Sequence, residues 1–258
     1  MGKKMVFFDL DGTLLDENKQ IVPSAKRAVH WLAEKGIIVA IATGRAPFMF
    51  APFQRELGID SFVSFNGQYV VSGDEVVFKN PLNQEELSEL NHSADENGHP
   101  MVFLNHAEMK ANRAEHFHIK ESLADLQFPY PPVDPDFYHG REIYQALLFC
   151  EDREEHFYNV GHSGIDFIRW HDFSLDVIPA GGSKAKGIER LLQHFDVDRE
   201  DTYAFGDGLN DIQMLKFVGT GVAMGNAKDE VKEGADFVTK DVSENGVAYG
   251  LKKLGLLE

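Results

Sequence analysis

Two acidic side chains follow an apolar run near the start of the chain, and their spacing would let them serve one reaction. The run is Val6 to Phe8, and Asp9 and Asp11 come next, with one residue between them, before a Gly-Thr turn. A continuous apolar run is typical of a strand buried on both faces, and ligands of open α/β sheets bind at the carboxyl ends of the strands. Two neighbouring carboxylates repel each other unless a cation or a shared proton reconciles them. The pair alone indicates either a catalytic layout or an acidic turn.

Three later segments carry polar groups beside the end of a predicted strand or the start of a predicted helix. Taken singly, each is common turn or surface chemistry. Their order along the chain is what indicates a shared site. The segments are Thr43-Gly44-Arg45, Gly182-Ser183-Lys184 and Gly206-Asp207-Gly208-Leu209-Asn210-Asp211.

Together with Asp9-Leu10-Asp11-Gly12-Thr13, these segments resemble the motifs of the haloacid dehalogenase (HAD) superfamily of phosphatases. The order resembles in particular the Cof-type, IIB-like branch, which carries a large α/β cap after the second motif. Asn66-Gly67, after the third predicted strand, is also similar to that branch. The resemblance covers nearly the whole chain and implies an enzyme that hydrolyses phosphoric monoesters.

The resemblance implies separate roles for the acids. Asp9 would be the nucleophile that forms an aspartyl-phosphate, and Asp11 would be the general acid and then the general base. Mg²⁺ would be held by the Asp9 side chain, the Asp11 backbone carbonyl and Asp207. Asp211 would support the metal from outside its direct ligands.

The resemblance also implies a set of groups that bind the transferring phosphate, because charge stabilisation does most of the work in phosphoryl transfer. Lys186 competes with Lys184 for the role of the cation. We favour Lys184, which follows the Gly181-Gly182 turn closely. The expected phosphate-binding residues are Leu10, Thr43, Gly44, Lys184 and Asn210.

The alternation of strand and helix signals predicts an α/β fold, a Rossmann-like three-layer core with a parallel sheet. This alternation breaks off near Asn80-Pro81 and resumes near residue 180, so we expect a core over 1–81 and 180–258. Residues 82–179 would form an inserted α+β cap domain that reads the substrate. Within this cap, one helix is expected to begin around Asn83 and another to span residues 113–123. In the core, a further helix is expected over residues 209–217.

The composition of the chain limits the kinds of molecule that it could bind. The formal net charge of −17 argues against a nucleic-acid surface, because such surfaces are built from lysine and arginine. No apolar run approaches the roughly 20 residues that span a bilayer, and the start of the chain is not a signal-peptide pattern. The single cysteine, Cys150, fits a reducing compartment. We expect a cytoplasmic monomer or homodimer that acts on a small phosphorylated metabolite.

Within the cap, the sequence offers only weak candidates for substrate contacts. Asn105, His106 and Arg169 could face a cleft or lie on the surface. His116 and His118 lack the ligand spacing of a metal site and are read as part of a helix face.

The leading hypothesis is Mg²⁺-dependent hydrolysis of sugar phosphates, or of phosphorylated cofactors such as pyridoxal phosphate or a flavin nucleotide. A phosphomutase of the same fold is the first alternative, since it would share the aspartyl-phosphate. A non-catalytic regulatory relative is the second, although no expected catalytic group is missing. A dehalogenase is disfavoured because its chemistry would not require Asp11 as an acid.

Overall fold

The computed structural model describes residues 2–158 and 161–258. Internal contacts divide the chain into two units, residues 1–45, 50–78 and 183–258 in the first and residues 46–49 and 79–182 in the second. In chain order the strands are β1 (Met5–Phe8), β2 (Ile38–Ala42), β3 (Ser61–Ser64), β4 (Tyr69–Ser72), β5 (Glu75–Lys79), β6 (Met101–Leu104), β7 (Met109–Ala111), β8 (Gln145–Leu148), β9 (Ile165–His171), β10 (Ser174–Pro179), β11 (Thr202–Gly206), β12 (Thr220–Ala223) and β13 (Phe237–Val238). The α-helices are α1 (Pro23–Glu34), α2 (Pro47–Leu57), α3 (Gln84–Glu96), α4 (Phe117–Asp125), α5 (Lys184–Phe195), α6 (Ile212–Phe217), α7 (Asp229–Glu233) and α8 (Gly246–Lys253).

The first unit is built on one sheet, with strand order β13-β12-β11-β1-β2-β3-β4-β5. The strands from β13 to β3 run parallel, and β4 pairs antiparallel with β3. Parallel strands are covered on both faces, which explains why every residue of β1 is buried. Such a sheet collects the carboxyl ends of its parallel strands at one edge.

Helices cover the two faces of this sheet. On one face, Phe7 of β1 lies in a buried cluster with Ile188 and Leu191 of α5 and Met214 of α6. On the other, α8 lies against the sheet so closely that a Cβ added at Gly250 would meet the ring of Phe205 at 2.6 Å. Because side chains alternate along a strand, both faces are apolar and the sheet is sandwiched between helices. The expected α/β class with a parallel core sheet is confirmed.

The second unit contains an antiparallel sheet with strand order β7-β6-β8-β10-β9. Leu87 and Leu90 of α3 pack in one buried cluster with Phe103, Ala146 and Val177 from three of these strands. The sheet therefore buries one face under α3, and this unit has an α+β composition. Across the described ranges, none of the helices has both the length and the apolar character needed to cross a membrane.

The predicted starts of three helices meet different outcomes. Asn83 caps α3 as expected, because its side chain accepts hydrogen bonds from the amides of Glu85 and Glu86. The helix expected from residue 113 is wrong at its start, since α4 begins at Phe117. Glu115 has a positive φ of 50°, and the ring of His116 accepts the amide hydrogen of His118 to cap the helix.

The helix expected over 209–217 opens with a short 3₁₀ turn, Leu209–Asp211, and becomes α-helical only from Ile212. The Asp211 carboxylate accepts hydrogen bonds from the amides of Asp207 and Gly208 at 3.0 and 2.9 Å, which tightens the chain ahead of the helix. The predicted helix is therefore wrong only over its first turn, residues 209–211.

Candidate active site

The polar segments singled out above meet at the carboxyl ends of the parallel strands. Asp9 follows β1, Thr43 follows β2 and Asp207 follows β11. The Asp9 amide donates to the carbonyl of Phe205 at 2.9 Å, which continues the pairing of β1 with β11 up to the site. Ligands of open α/β sheets bind at this edge. The fold therefore brings residues almost 200 positions apart into one group.

Lys184 lies at the centre of this group. Its Nζ donates to Oδ1 of Asp9 and to Oδ1 of Asp211, both at 2.6 Å, and all three side chains are at least nine-tenths buried. Ser183 caps α5 by accepting the amide hydrogen of Lys186, so Lys184 is the first helical residue and points to the strand ends. Lys186 is exposed to solvent. The structure thus places Lys184, rather than Lys186, against Asp9.

The buried ammonium is held in its charged form. Burial alone would lower the pKa of Lys184, but the carboxylates of Asp211 and Asp9 outweigh burial and raise that pKa above its ordinary value. A fixed positive charge beside Asp9 is the kind of group that stabilises charge in phosphoryl transfer.

Asp9 lies among other acids. Burial raises the pKa of its carboxyl well above the usual range, Lys184 opposes this shift, and the carboxylates of Asp211, Asp207 and Asp11 raise the pKa further. The pKa of Asp207 is likewise raised to about 7, by burial first and then by Asp211. The two acids are therefore short of compensating positive charge.

The carboxylates of Asp9, Asp207 and Asp211 form a cluster that could hold a metal ion, since one oxygen of each lies within 4.8 Å of the others. Hard divalent cations prefer such oxygen donors. Asp211 has little capacity left, because its two oxygens already accept hydrogen bonds from Lys184 and from the amides of Asp207 and Gly208. Its surroundings suit the supporting role that the resemblance implies.

Asp207 is held in place by its neighbours. Thr13 donates from its hydroxyl to Asp207 Oδ1 at 3.0 Å, and Asn226 donates to Oδ2 at 3.3 Å and to the Gly12 carbonyl at 2.9 Å. Gly12 has a φ of 73°, and a Cβ at this position would collide with the Asp207 carboxylate. A glycine is therefore needed for the first loop to approach Asp207 so closely.

Asp11 has surroundings of the opposite kind. Arg45 donates to its carboxylate from Nε and Nη2, both at 2.7 Å, and Lys19 Nζ donates at 2.8 Å. Burial raises the pKa of Asp11, but the hydrogen bonds and charges of Arg45 and Lys19 prevail and lower it to about 2. In this arrangement Asp11 is ionised at neutral pH.

The remaining residues predicted to bind phosphate lie around the same strand ends. The Thr43 hydroxyl accepts the amide hydrogen of Arg45 at 3.1 Å, and Gly44 follows it on the same loop. The Asn210 side chain donates to Oδ1 of Asn66 at 2.9 Å. The Leu10 side chain is fully buried, so only its backbone amide could serve a phosphate.

Sequence reasoning missed several partners of these residues. Arg45 lies in the Thr43-Gly44-Arg45 motif, but the sequence alone indicates no role for it. Asn226 could have been found from its position, because it follows β12 as Asp207 follows β11. Lys19 carries no local signal, because its contact with Asp11 depends on a turn in which it adopts a φ of 57°. Asn66 was noted only as part of a motif.

In the second unit, two of the weak candidates for substrate contact are occupied within the fold. Arg169 donates to Glu155 and to the backbone carbonyls of Cys150, His171 and Asp172. The Asn105 side chain accepts the amide hydrogens of Ala107 and Glu108, both at 2.8 Å, in a tight turn. Both side chains therefore have a structural role within the second unit.

The chain is similar to known proteins over its whole length. It is 51% identical over 258 residues, all of both chains, to YkrA of Bacillus subtilis (strain 168), which carries the provisional name of a phosphatase. It is 28% identical over 282 residues to the 5-amino-6-(5-phospho-D-ribitylamino)uracil phosphatase YwtE of the same organism, covering 97% of this chain and 98% of YwtE.

Among solved structures, the chain matches the HAD subclass IIB sugar phosphatase BT4131 with a TM-score of 0.89 and 32% sequence identity. That match covers 99% of this chain and all of BT4131. The family model described as haloacid dehalogenase-like hydrolase matches residues 6–251, a range that contains every motif discussed above. The chain belongs to the haloacid dehalogenase-like hydrolase family.

Proposed function

We propose that this protein is a Mg²⁺-dependent phosphatase that hydrolyses small phosphomonoesters through an aspartyl-phosphate on Asp9. The observation that carries the proposal is the buried Lys184 ammonium between Asp9 and Asp211, beside Asp207, at the carboxyl ends of the parallel strands. A buried carboxylate with a fixed cation on one side suits attack on an anionic phosphate group, since the cation attracts the substrate and stabilises the charge that develops.

The donor set fits a magnesium ion. The Asp9 side chain, the Asp11 backbone carbonyl and Asp207 would hold it, all through oxygen atoms, and Asp211 would orient its surroundings. The raised pKa values of Asp9 and Asp207 are the physical sign of the positive charge that these acids lack. When bound, Mg²⁺ supplies charge that keeps the carboxylates ionised and screens Asp9 from the incoming phosphate.

In the first step, an Asp9 carboxylate oxygen forms a bond to phosphorus as the bond from phosphorus to the ester oxygen breaks. The leaving alkoxide takes a proton from Asp11. In the second step, water attacks phosphorus and gives a proton back to Asp11, and Asp9 is released with inorganic phosphate.

The ion pairs of Asp11 constrain this sequence. In the arrangement seen here Asp11 is ionised, the form that accepts a proton from water. For Asp11 to donate a proton in the first step, the contacts with Arg45 and Lys19 have to loosen. We therefore infer that Arg45 and Lys19 hold Asp11 in its base form while they pair with it, as the second step requires, and that Asp11 takes up a proton when these contacts loosen.

The phosphate group would be bound by the Thr43 hydroxyl, the amides of Leu10 and Gly44, Lys184 and Asn210. These groups act on the phosphate alone, so they do not select the rest of the substrate. We propose that the inserted residues 82–179 recognise the leaving group.

For the substrate, we propose sugar phosphates or phosphorylated cofactors. Two relatives support this class, because BT4131 is a sugar phosphatase and YwtE acts on a phosphorylated ribityl chain. In both cases the phosphate is carried by a polyhydroxylated carbon chain.

The test is a screen of phosphorylated metabolites for phosphate release, with Mg²⁺ and with EDTA. Asp9→Asn is the test variant, and Asp74→Asn, an exposed aspartate in the β4–β5 turn, is the matched control. We expect Mg²⁺-dependent release by the wild type and by Asp74→Asn, and none by Asp9→Asn. Release by Asp9→Asn at the wild-type rate would contradict the proposal, and so would a wild type inactive on every substrate. Phosphate that moves within a bisphosphate substrate, without release to water, would indicate a phosphomutase.

A further inference from the structure

A strained turn lies directly after β3. Phe65 and Asn66 have φ values of 51° and 52°, and Gly67 follows with a φ of 100°. Two successive non-glycine residues in the left-handed region are unusual, because the side chain crowds the backbone there. All three residues are buried. Such strain persists only where surrounding contacts enforce it, and it is concentrated at functional sites.

Asn66 contacts the loop that carries Thr43 and Gly44. Its amide donates to the Thr43 carbonyl at 3.1 Å. Its side-chain amide occupies the space that a side chain at position 44 would need, since a Cβ added to Gly44 would meet Oδ1 and Nδ2 of Asn66 at 3.1 Å. The Asn66 side chain therefore packs against the backbone at Gly44.

The same side chain contacts a second segment of the site. Asn66 Oδ1 accepts a hydrogen bond from Asn210 Nδ2 at 2.9 Å, across 144 residues of sequence. The Asn210 side chain is partly exposed at the site, so this hydrogen bond restricts the orientations that it can adopt.

Gly67 brings a third segment into the same arrangement. A Cβ at this position would collide with the Ser183 carbonyl, and the backbone of α5 packs against it. Lys184 follows Ser183 directly. The turn over residues 65–67 thus touches the chain beside Thr43, Gly44, Lys184 and Asn210, which are four of the five residues expected to bind phosphate.

We infer that Asn66 is a positioning residue, which holds Gly44 and Asn210 in the geometry that the transferring phosphate requires. The inference rests on the proposed phosphatase function. Displacement of groups that act on the transition state by a fraction of an ångström lowers kcat more than it raises KM.

The test variant is Asn66→Gly, which removes the side chain and keeps a residue that accepts the left-handed backbone. The matched control is Asn245→Gly, because Asn245 is also a left-handed asparagine, with φ 63°, and is exposed before α8. Both are assayed as the full chain with Mg²⁺ on p-nitrophenyl phosphate, together with inhibition by orthovanadate and the melting temperature. Asn210→Ala and the double variant complete a cycle.

We expect Asn66→Gly to lower kcat by about 10- to 100-fold, to change KM by less than about threefold, and to weaken vanadate inhibition. The loss should be much less than additive with that of Asn210→Ala, because both changes break one interaction. Asn245→Gly should keep the wild-type kcat.

A kcat within twofold of the wild type, or losses that add fully with Asn210→Ala, would overturn the inference. A lower melting temperature with an unchanged kcat would show a structural role only and would overturn it too. If Asn66→Gly does not fold, Gly44→Ala replaces it, because its methyl group would press on the Asn66 amide. The same fall in kcat is then expected, and a wild-type kcat would contradict the inference. A wild type inactive on all phosphate esters would instead refute the proposed function.

Discussion

Asp9 and Asp11 lie two residues apart on one loop, yet their surroundings are opposite in charge. Asp9 faces Asp207 and Asp211, Lys184 compensates part of their charge, and the pKa of Asp9 is raised. Asp11 faces Arg45 and Lys19, and its pKa is lowered to about 2. Residues two apart would point to the same side of an extended strand, but the chain turns at Leu10, so each carboxylate meets a different set of distant elements. The difference shows that the chemistry of a carboxylate depends on the elements packed against it more than on its own motif.

The two carboxylates have complementary requirements. We call Asp9, Asp207, Asp211 and Lys184 the Asp9 side, and Asp11, Arg45 and Lys19 the Asp11 side. The Asp9 side lacks positive charge, which a divalent cation would supply. The Asp11 side already has two cations, and these must release the carboxylate before it can carry a proton.

The largest effect is expected from Asp11→Asn on substrates with a poor leaving group. Without a proton donor, kcat for an alkyl phosphate should fall by about 10²- to 10⁴-fold. Formation of the aspartyl-phosphate from p-nitrophenyl phosphate should suffer much less, because nitrophenolate leaves without protonation. The measurement is the first-turnover rate for the two esters, with Asp74→Asn as control. An equal loss for both esters would show that Asp11 is not the acid.

Lys184→Ala should follow, with a loss in kcat of about 10²- to 10³-fold, because it removes a fixed charge beside the reacting phosphate. The matched variant is Lys186→Ala, two residues on at an exposed position, and it should keep nearly full activity. Steady-state kinetics on p-nitrophenyl phosphate would decide. The reverse pattern, with Lys186→Ala inactive and Lys184→Ala active, would contradict the geometry of the Asp9 side.

On the Asp11 side, Arg45→Lys should lower kcat for alkyl phosphates by about tenfold, because a lysine cannot reproduce the two-pronged contact that orients the carboxylate. Lys19→Met should change kcat by less than about threefold, since Lys19 is the more exposed cation and such pairs contribute little. Larger losses for Lys19→Met than for Arg45→Lys would mean that the wrong cation has been assigned to hold Asp11.

The smallest effect concerns stability without metal. The folded-state pKa of Asp207 is raised to about 7, so its contribution to stability is full at low pH and is lost as pH rises through about 7. In EDTA, the free energy of unfolding of the wild type should fall relative to Asp207→Asn by on the order of 2 kcal/mol between about pH 5.5 and pH 8. Excess Mg²⁺ should remove this fall. Urea unfolding of both proteins measures it, and a difference that does not vary with pH would refute it.

Much of the first unit could be read from the sequence, for physical reasons. β1 is predictable because both faces of a parallel strand are buried, and Asp9, Thr43 and Asp207 are predictable because parallel strands end at one edge. Lys184 could be preferred over Lys186 from the turn before it. These inferences depend on local pattern and on a general property of the sheet.

What could not be predicted depends on contacts distant in sequence or on backbone strain. The partners of Asp11 come from a turn eight residues on and from the end of β2, and no periodicity marks them. Asn66-Gly67 is a turn signal, but the left-handed Phe65 before it and the contacts of Asn66 with Gly44 and Asn210 have no local mark. The predicted start of α4 was wrong because the His116 ring caps the helix at residue 117, although the helical spacing of the sequence begins earlier. In the second unit, Arg169 donates hydrogen bonds to one side chain and to three backbone carbonyls. Sequence alone does not distinguish such structural contacts from contacts with a substrate.

The central claim is that Asp9 carries the phosphoryl group and that Asp11 serves as the acid and the base. The direct test is to mix Asp11→Asn with Mg²⁺ and p-nitrophenyl phosphate, quench in acid within one turnover, and map the phosphorylated residue by peptide mass spectrometry. The variant should accumulate the intermediate, because it lacks the base that activates water. We predict one phosphoryl group on Asp9. A phosphoryl group on another residue, or release of nitrophenol with no labelled residue, would contradict the account.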